Sequence, residues 1–276
     1  MSDEFEEVKT QEVELSTVEA QDSALVSNQI KTARAYPRNL TRVRSTINAI
    51  VILDKDTASS CGYSVPRGGK NVSGPSVHLA KIVAQSYGNI RVDSKVVNIG
   101  ENTITCQATA WDLETNYAIR SEVIRKITDK NGKRFNEDMI ILTGNAGSSI
   151  ALRNAVFSVV PKPIWQGGYD AAQRFIVGDI SDEDKLNKRR KEVLDAMIGT
   201  YGIKESDVLK VLGLNSIMQI KGEELKVLIG IGQAIKDGDT TVDQTFFPDK
   251  EKSEEARKAS QDAVARIKDK ANSAQQ

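Results

Sequence analysis

Residues 90–124, IRVDSKVVNIGENTITCQATAWDLETNYAIRSEVI, decide the fold, because apolar and polar side chains alternate along three successive runs. The runs are Ile90–Ile99, Thr103–Leu113 and Tyr117–Ile124. Short stretches with glycine, asparagine and threonine separate them, as expected for turns between strands. We therefore predict an antiparallel three-stranded meander.

A helix is predicted on each side of this meander. The first opens at Gly74-Pro75, ends at Gly88 and carries Lys81 on a polar stripe opposite its apolar face. The second, residues 146–160, is apolar almost all round and is stopped by Pro161. Since so apolar a helix must be covered on most sides, we predict that it lies across one face of the meander.

Upstream of the meander, the sequence predicts two helices and a hairpin. The helices are residues 24–36 and 40–53, separated by Pro37. The hairpin spans residues 61–73, turns at Gly68-Gly69 and exposes Arg67 and Lys70 at its tip.

The predicted fold class is α+β: a short antiparallel meander with a hairpin finger packed against helices, plus a small C-terminal helical bundle. Composition changes along the chain give the predicted domain boundaries. They are an acidic disordered arm (1–22), a core that contains the meander (23–178), a linker (179–184), a three-helix module (185–248) and a charged tail (249–276).

Charge is unevenly distributed although the whole chain, with 38 basic and 38 acidic residues, is neutral. Residues 1–22 carry a net charge of −7, and residues 23–92 carry +8. A basic segment behind an acidic arm favours a polyanionic partner, with the arm masking that surface or binding another protein.

Several classes of chemistry lack the residues they need. Cys61 and Cys106 have no nearby cysteine or histidine, and His78 is the only histidine, so neither a zinc site nor a disulfide framework is expected. Gly69-Lys70 fails the phosphate-loop pattern at two positions, Ser64 and Asn71. We expect no catalytic residues and no cofactor. An acidic start and the lack of an apolar run of about 20 residues predict a cytoplasmic protein without membrane contact.

A meander flanked by basic elements can hold a strand of nucleic acid, with cations on phosphates and aromatic side chains stacked on bases. Arg38 and Arg42 are phosphate-binding candidates because they follow Arg34 at four-residue spacing. A solvated basic helix face explains the same spacing equally well. Four aromatic residues are available for stacking: Tyr63, Tyr87, Trp111 and Tyr117.

Three segments together resemble the phage single-strand annealing recombinases of the RecT, Redβ and Erf type. They are Tyr63-Ser64-Val65-Pro66 before a basic glycine turn, the helix start GPSVHLAK at 74–81, and the closing helix GSSIALRNAV at 147–156. The resemblance covers about residues 24–177. The long acidic start and the short spacing between hairpin and helix depart from the RecT pattern.

This resemblance implies ATP-independent binding and annealing of complementary single-stranded DNA by a homo-oligomeric ring or filament in the cytoplasm of a bacterial host. It implies phosphate contacts from Arg67, Lys70, Lys81 and Arg153. Residues 185–248 are similar to modules that contact partner proteins in such recombinases, so a single-strand-binding protein or an exonuclease is an expected partner.

Two other hypotheses remain open from the sequence. The chain could be an oligomeric structural or adaptor protein that recruits replication or recombination partners without annealing DNA. It could also be an enzyme with an unrecognised site around His78, although no nucleophile motif lies near that histidine.

Overall fold

The computed structural model describes residues 20–67, 69–129 and 131–248. The architecture is mixed α+β, with two small antiparallel sheets packed against helices and more helices at the C-terminal end, which confirms the predicted fold class. In chain order the elements are α1 (residues 20–35), α2 (Leu40–Ile50), α3 (Lys55–Ser60), β1 (Gly62–Arg67), β2 (Lys70–Pro75), α4 (Val77–Tyr87), β3 (Ile90–Ile99), β4 (Thr103–Asp112), β5 (Tyr117–Lys126), α5 (Glu137–Val159), α6 (Lys162–Val177), α7 (Glu183–Tyr201), α8 (Glu205–Leu212), the 3₁₀ helix Ile217–Gln219, α9 (Gly222–Lys236) and α10 (Val242–Phe246).

The chain divides into two compact units, each built from two separate segments. Unit 1 comprises Met1–Leu53 and Val77–Ala171, and unit 2 comprises Asp54–Ser76 and Ala172–Gln276. The hairpin of β1 and β2 therefore belongs to the unit that contains the C-terminal helices. The boundaries proposed from sequence had grouped it with the meander, because neighbours along the chain are usually neighbours in space.

The meander of unit 1 matches its prediction closely. Strands β3, β4 and β5 pair antiparallel in that order. On the central strand β4, alternate residues are fully buried and form the inner face of the sheet: Ile104, Cys106, Ala108 and Ala110. A bulge in the edge strand β3 shifts its register between Val96 and Asn98.

Helix α5 covers this inner face, as predicted, but it begins nine residues earlier than the apolar pattern indicated. Asn136 caps it by accepting a hydrogen bond from the backbone N–H of Met139, and acidic residues follow in the first turn. Glycines allow a close approach to the sheet, since a Cβ added to Gly147 would lie 2.6 Å from Cys106 Sγ. The cover is one-sided, because Ile141 and Leu142 on α5 remain exposed.

Two further helix contacts complete the described core of unit 1. Helix α2 buries Val43 and Ile47 and packs against α4, which in turn packs against α5. Helix α6 approaches α2 closely at Gly168, where an added Cβ would lie 2.5 Å from Ile47 Cγ2. Helix α4 starts at Val77 and not at the predicted Gly74-Pro75, because those two residues pair with β1 as the end of β2.

In unit 2, the hairpin packs on helix α9. Strands β1 and β2 pair from Gly62 with Pro75 to Arg67 with Lys70, as the predicted turn requires. The contact is tight: a Cβ on Gly230 of α9 would lie 3.0 Å from the backbone of Tyr63 and Ser64. The side chain of Asn71 also donates a hydrogen bond to the carbonyl of Val211. The hairpin is therefore held by helices that follow it by about 140 to 170 residues.

The three predicted C-terminal helices are present as α7, α8 and α9, with the 3₁₀ helix and α10 in addition. Residues 188–191 of α7 are all basic, yet the third of them, Arg190, is buried. Its guanidinium donates to the carbonyls of Ile220 and Met218, so it stabilises the backbone around the 3₁₀ helix. Among the described helices, none has the length and hydrophobicity needed to cross a membrane.

Candidate nucleic-acid interface

The structure distributes the six predicted phosphate-binding residues over both units. Arg67 and Lys70 face each other at the end of the hairpin in unit 2 and are exposed. Arg42 and Lys81 are exposed on α2 and α4 of unit 1, while Arg153 is half-buried on α5 of the same unit. The sixth residue, Arg38, is enclosed in unit 1.

Arg38 forms a buried ion pair with Asp112 at the end of β4. Its two terminal nitrogens donate to the two carboxylate oxygens of Asp112 at 2.7 and 2.5 Å, and the exposed side-chain fractions are 7% and 4%. The guanidinium lies 3.7 Å from the centre of the Tyr87 ring. Glu114 adds a second carboxylate by accepting from the backbone N–H of Arg38. These partners account for Arg38 without a ligand, and we leave it out of the proposed interface.

The interaction between Arg38 and Asp112 stabilises the charged form of each side chain. Burial by itself favours the neutral form of Asp112, yet hydrogen bonds from Arg38 and from the backbone of Glu114 outweigh burial and hold its pKa below the usual value. Burial likewise opposes the charged form of Arg38, but the bond to Asp112 and the neighbouring negative groups raise its pKa. Burial raises the pKa of Tyr87. Arg38 and Asp112 therefore stay charged, and their ion pair fixes the chain between α1 and α2 against the sheet.

The four candidate stacking residues also differ in their surroundings. Tyr87 is buried beneath Arg38, and Tyr63 is half-buried with its ring against Gly74 in the hairpin. Tyr117 at the start of β5 is 51% exposed. Trp111 is half-buried on β4, and its indole N–H donates to Asn116 in the turn before β5. Trp111 and Tyr117 are the two that lie on the meander.

The outer face of the meander, opposite α5, is polar and partly cationic. We call it the open face and define it by the cross-strand register. Its central row on β4 consists of uncharged polar residues and one tryptophan, flanked by charged residues on the two edge strands. The open face comprises Arg91, Asp93, Lys95 and Asn98 of β3, Thr103, Thr105, Gln107, Thr109 and Trp111 of β4, and Ala118, Arg120, Glu122, Ile124 and Lys126 of β5.

Sequence reasoning singled out Trp111 but did not include Lys95 among the candidate residues. The alternation of β3 could have found it, because Lys95 must face away from its apolar neighbour Val96. Lys95, Arg120 and Lys126 are exposed, and none of them forms a salt bridge with another described residue.

The two units differ in their balance of charge. The segments of unit 1 from residue 20 onward, 20–53 and 77–171, contain sixteen basic and ten acidic residues, a net charge of +6. The segments of unit 2 up to residue 248, 54–76 and 172–248, contain fourteen basic and fifteen acidic residues, a net charge of −1. A polyanion would be attracted to unit 1 more strongly than to unit 2.

Unit 2 offers a different kind of surface. A cavity of about 260 Å³ lies between α3, α7 and α9, with Arg189 in its wall. This cation already donates to the carbonyl of Ile176 and to Glu192, whose pKa it lowers. Among residues 20–248, apart from positions 68 and 130, no group of three histidine, cysteine or acidic side chains is placed to hold a metal ion.

Comparison with known proteins adds nothing to this description. No family model, no curated protein and no solved structure matches the chain. The candidate interface therefore rests on the residues and their geometry.

Proposed function

We propose that this protein binds single-stranded DNA through unit 1 and anneals complementary strands without ATP. The observation that supports this most directly is the net charge of +6 on unit 1 beside −1 on unit 2. Lys and Arg side chains that release counterions from phosphates supply most of the affinity of such proteins. The resemblance to annealing recombinases supports the second step, in which two bound strands are paired.

The annealing step requires that many copies hold a strand in register, so we propose a homo-oligomer. Both edges of the meander support contacts between copies. Within the described part of the chain, edge strands β3 and β5 pair only with β4, and both expose apolar side chains, including Ile99 at 53% and Ile124 at 67%. Unpaired strand edges of this kind readily add another strand.

The first experiment measures annealing of two complementary oligonucleotides, one with a fluorophore and one with a quencher, in the absence of nucleotide. We expect the protein to accelerate pairing well above the spontaneous rate and to bind either strand with an affinity that falls steeply with salt. For single strands, the slope of log K against log salt is about −0.7 per phosphate contacted. No acceleration over the protein-free reaction would overturn the annealing proposal.

Matched charge reversals then test the assignment to unit 1. Arg42→Glu with Lys81→Glu changes two exposed cations of unit 1, and Lys188→Glu with Lys191→Glu changes two exposed cations of unit 2. We expect only the first pair to weaken binding, with a salt slope shallower by about 1.4. Equal losses for both pairs would contradict a binding site in unit 1. Arg67→Glu with Lys70→Glu asks separately whether the hairpin contributes.

A second candidate function is the oligomeric adaptor, which the exposed apolar edges of the meander also favour. Such a protein would form particles much larger than 30.2 kDa but would not retain oligonucleotides. Size-exclusion chromatography with and without single-stranded DNA distinguishes the two candidates, since an annealing protein co-elutes with the DNA.

A further inference from the structure

We propose that the open face of the meander is the surface on which the bases of single-stranded DNA lie. This inference rests on the proposed function and assigns the base contacts to β4, at residues that the resemblance does not supply. The proposed contacts are stacking on Trp111, hydrogen bonds from the polar row of β4, and phosphate contacts from the edge strands.

On the open face, the cross-strand register places an uncharged row of β4 side chains, which we call the lane, between the edge strands β3 and β5. We call these two edge strands the borders, and each of them carries cations. Every second residue of β4 from Thr103 to Trp111 points to this face, and none of the five is charged. The lane spans eight residue steps, about 27 Å, and the strands on either side lie about 10 Å apart. Those dimensions suit about four nucleotides, the lower end of the sites found on sheet-based single-strand binders.

Trp111 lies at one end of the lane. Its neighbours across the strands are Arg91 and Ala118. Ala118 is small and exposed, Trp111 itself is only half-buried, and the hydrogen bond from the indole N–H to Asn116 restrains the orientation of the ring. A fixed, half-buried aromatic ring with an accessible side is suited to stacking on a base, and every base has a face that can stack.

The cations stand on the borders, where the phosphates of a strand lying along the lane would run. Lys95 is on β3, and Arg120 and Lys126 are on β5. Arg91 is partly engaged already, since it donates to Gln29 of α1.

Two acidic residues also lie on the open face. Asp93 is opposite Arg120 across Thr109, and Glu122, which accepts from Gln107, is opposite Lys95. Four cations and two anions leave the face with a net charge of +2, so a polyanion is attracted to it. The two carboxylates lie on the same edge strands as the cations, so along each border they restrict phosphates to the positions of the cations.

Tryptophan fluorescence tests this directly, because the chain contains only two tryptophans. Trp165 is 7% exposed, packs on Phe157 and donates to the carbonyl of Val160. In a Trp165→Phe variant, Trp111 is the only tryptophan and can be excited selectively over the tyrosines. We expect an unlabelled oligothymidine to quench its emission saturably, with the same affinity that a labelled oligonucleotide gives by anisotropy. In Trp111→Phe, the emission of Trp165 should not respond.

Affinity measurements supply the second readout. Trp111→Ala should weaken binding about 5- to 150-fold, the range that corresponds to one stacked base. Lys95→Gln with Arg120→Gln should make the salt slope shallower by about 1.4. The matched control in unit 1 is Arg44→Gln with Lys133→Gln, which removes two exposed cations elsewhere and should leave affinity unchanged.

The outcomes separate this inference from the proposed function. Tight binding with an unresponsive Trp111 and no loss in the Lys95 and Arg120 variant overturns the open face as the base site and leaves DNA binding by unit 1 intact. An absence of any oligonucleotide binding overturns both. If Trp111→Ala does not fold, the response of Trp111 in the Trp165→Phe protein still decides the matter.

Discussion

The two units solve the same packing problem with different chemistry. Each places a small antiparallel sheet on one helix, and each needs a glycine of that helix at the closest approach: Gly147 under the meander and Gly230 under the hairpin. Among the residues that the structure describes, only the meander of unit 1 ends in a buried ion pair, and unit 1 also carries the larger positive charge, +6 against −1. Because both units use a packing glycine, this glycine is needed for helix–sheet packing and says nothing about function. Net charge differs between the units, and it distinguishes the unit that we propose binds DNA.

A natural pair of probes makes this comparison measurable. Cys106 is buried in unit 1, Cys61 is buried in unit 2, and both thiols are free. Burial raises the pKa of Cys61 to about 12, so its thiol is unreactive until the surrounding structure opens. The rate at which each cysteine is alkylated therefore reports opening of its own unit.

The largest expected effect comes from breaking the ion pair of unit 1. Asp112→Asn leaves the guanidinium of Arg38 buried without its full charge partner, which typically costs about 3–5 kcal/mol. We expect the urea midpoint of unit 1 to fall and alkylation of Cys106 to accelerate, with Cys61 unaffected. Glu101→Gln, an exposed acid in the turn between β3 and β4, is the control and should change neither rate. An unchanged midpoint for Asp112→Asn would show that the pair does not stabilise the sheet.

A smaller loss is expected from filling the contact between α5 and the meander. Gly147→Ala puts a methyl group 2.6 Å from Cys106 Sγ, and overpacking of this kind costs about 1–3 kcal/mol. Cys106→Ala in the same chain should restore most of the stability by making room. The matched control, Gly199→Ala in α7, has open space around the new methyl group and should be neutral or stabilising. Chemical denaturation of the three variants tests this, and a stabilising Gly147→Ala would contradict the close approach.

In unit 2 the equivalent substitution is Gly230→Ala. We expect it to destabilise the protein less than Gly147→Ala does, and to affect mainly the hairpin. Gly230→Ala brings Cβ to 3.0 Å from the backbone of β1, and alanine recovers about 1 kcal/mol of helix propensity. A net loss on the order of 1 kcal/mol is expected, with faster hydrogen exchange in β1 and β2 and faster alkylation of Cys61. If Cys106 responded as strongly as Cys61, the two units would not be independent.

The smallest and most gradual effect is on the pH dependence of unit 1. The pKa of Asp112 is lowered in the folded protein, so its contribution to stability is complete above the unfolded value near 4 and is lost as pH falls through the folded value. In Asp112→Asn, the stability of unit 1 should therefore decrease less as the pH is lowered. Urea midpoints between pH 7 and pH 3 measure this loss of stability. If the midpoint falls as steeply with pH in the variant as in the wild type, other carboxylates are responsible for the loss.

The meander and the hairpin turn were predictable because period-two alternation and turn residues are local signals. Neither the partner of Arg38 nor the support of the hairpin was predictable in this way. Asp112 lies 74 residues from Arg38, and Gly230 lies some 166 residues after Ser64, so no spacing rule links them. The first nine residues of α5 were missed because the apolar run that predicted the helix begins only at Ala146; in the fold, Gly144 in this missed part permits contact with β4.

The interleaved segments of the two units bear on the order in which the chain folds during synthesis. All segments of unit 1 have been made once residue 171 leaves the ribosome, whereas residues 54–76 must wait for α9 before they gain their support. A chain shortened before residue 222 would retain the meander and leave the hairpin without the helix that holds it. Removing the C-terminal helices is therefore not a neutral way to obtain the rest of the protein.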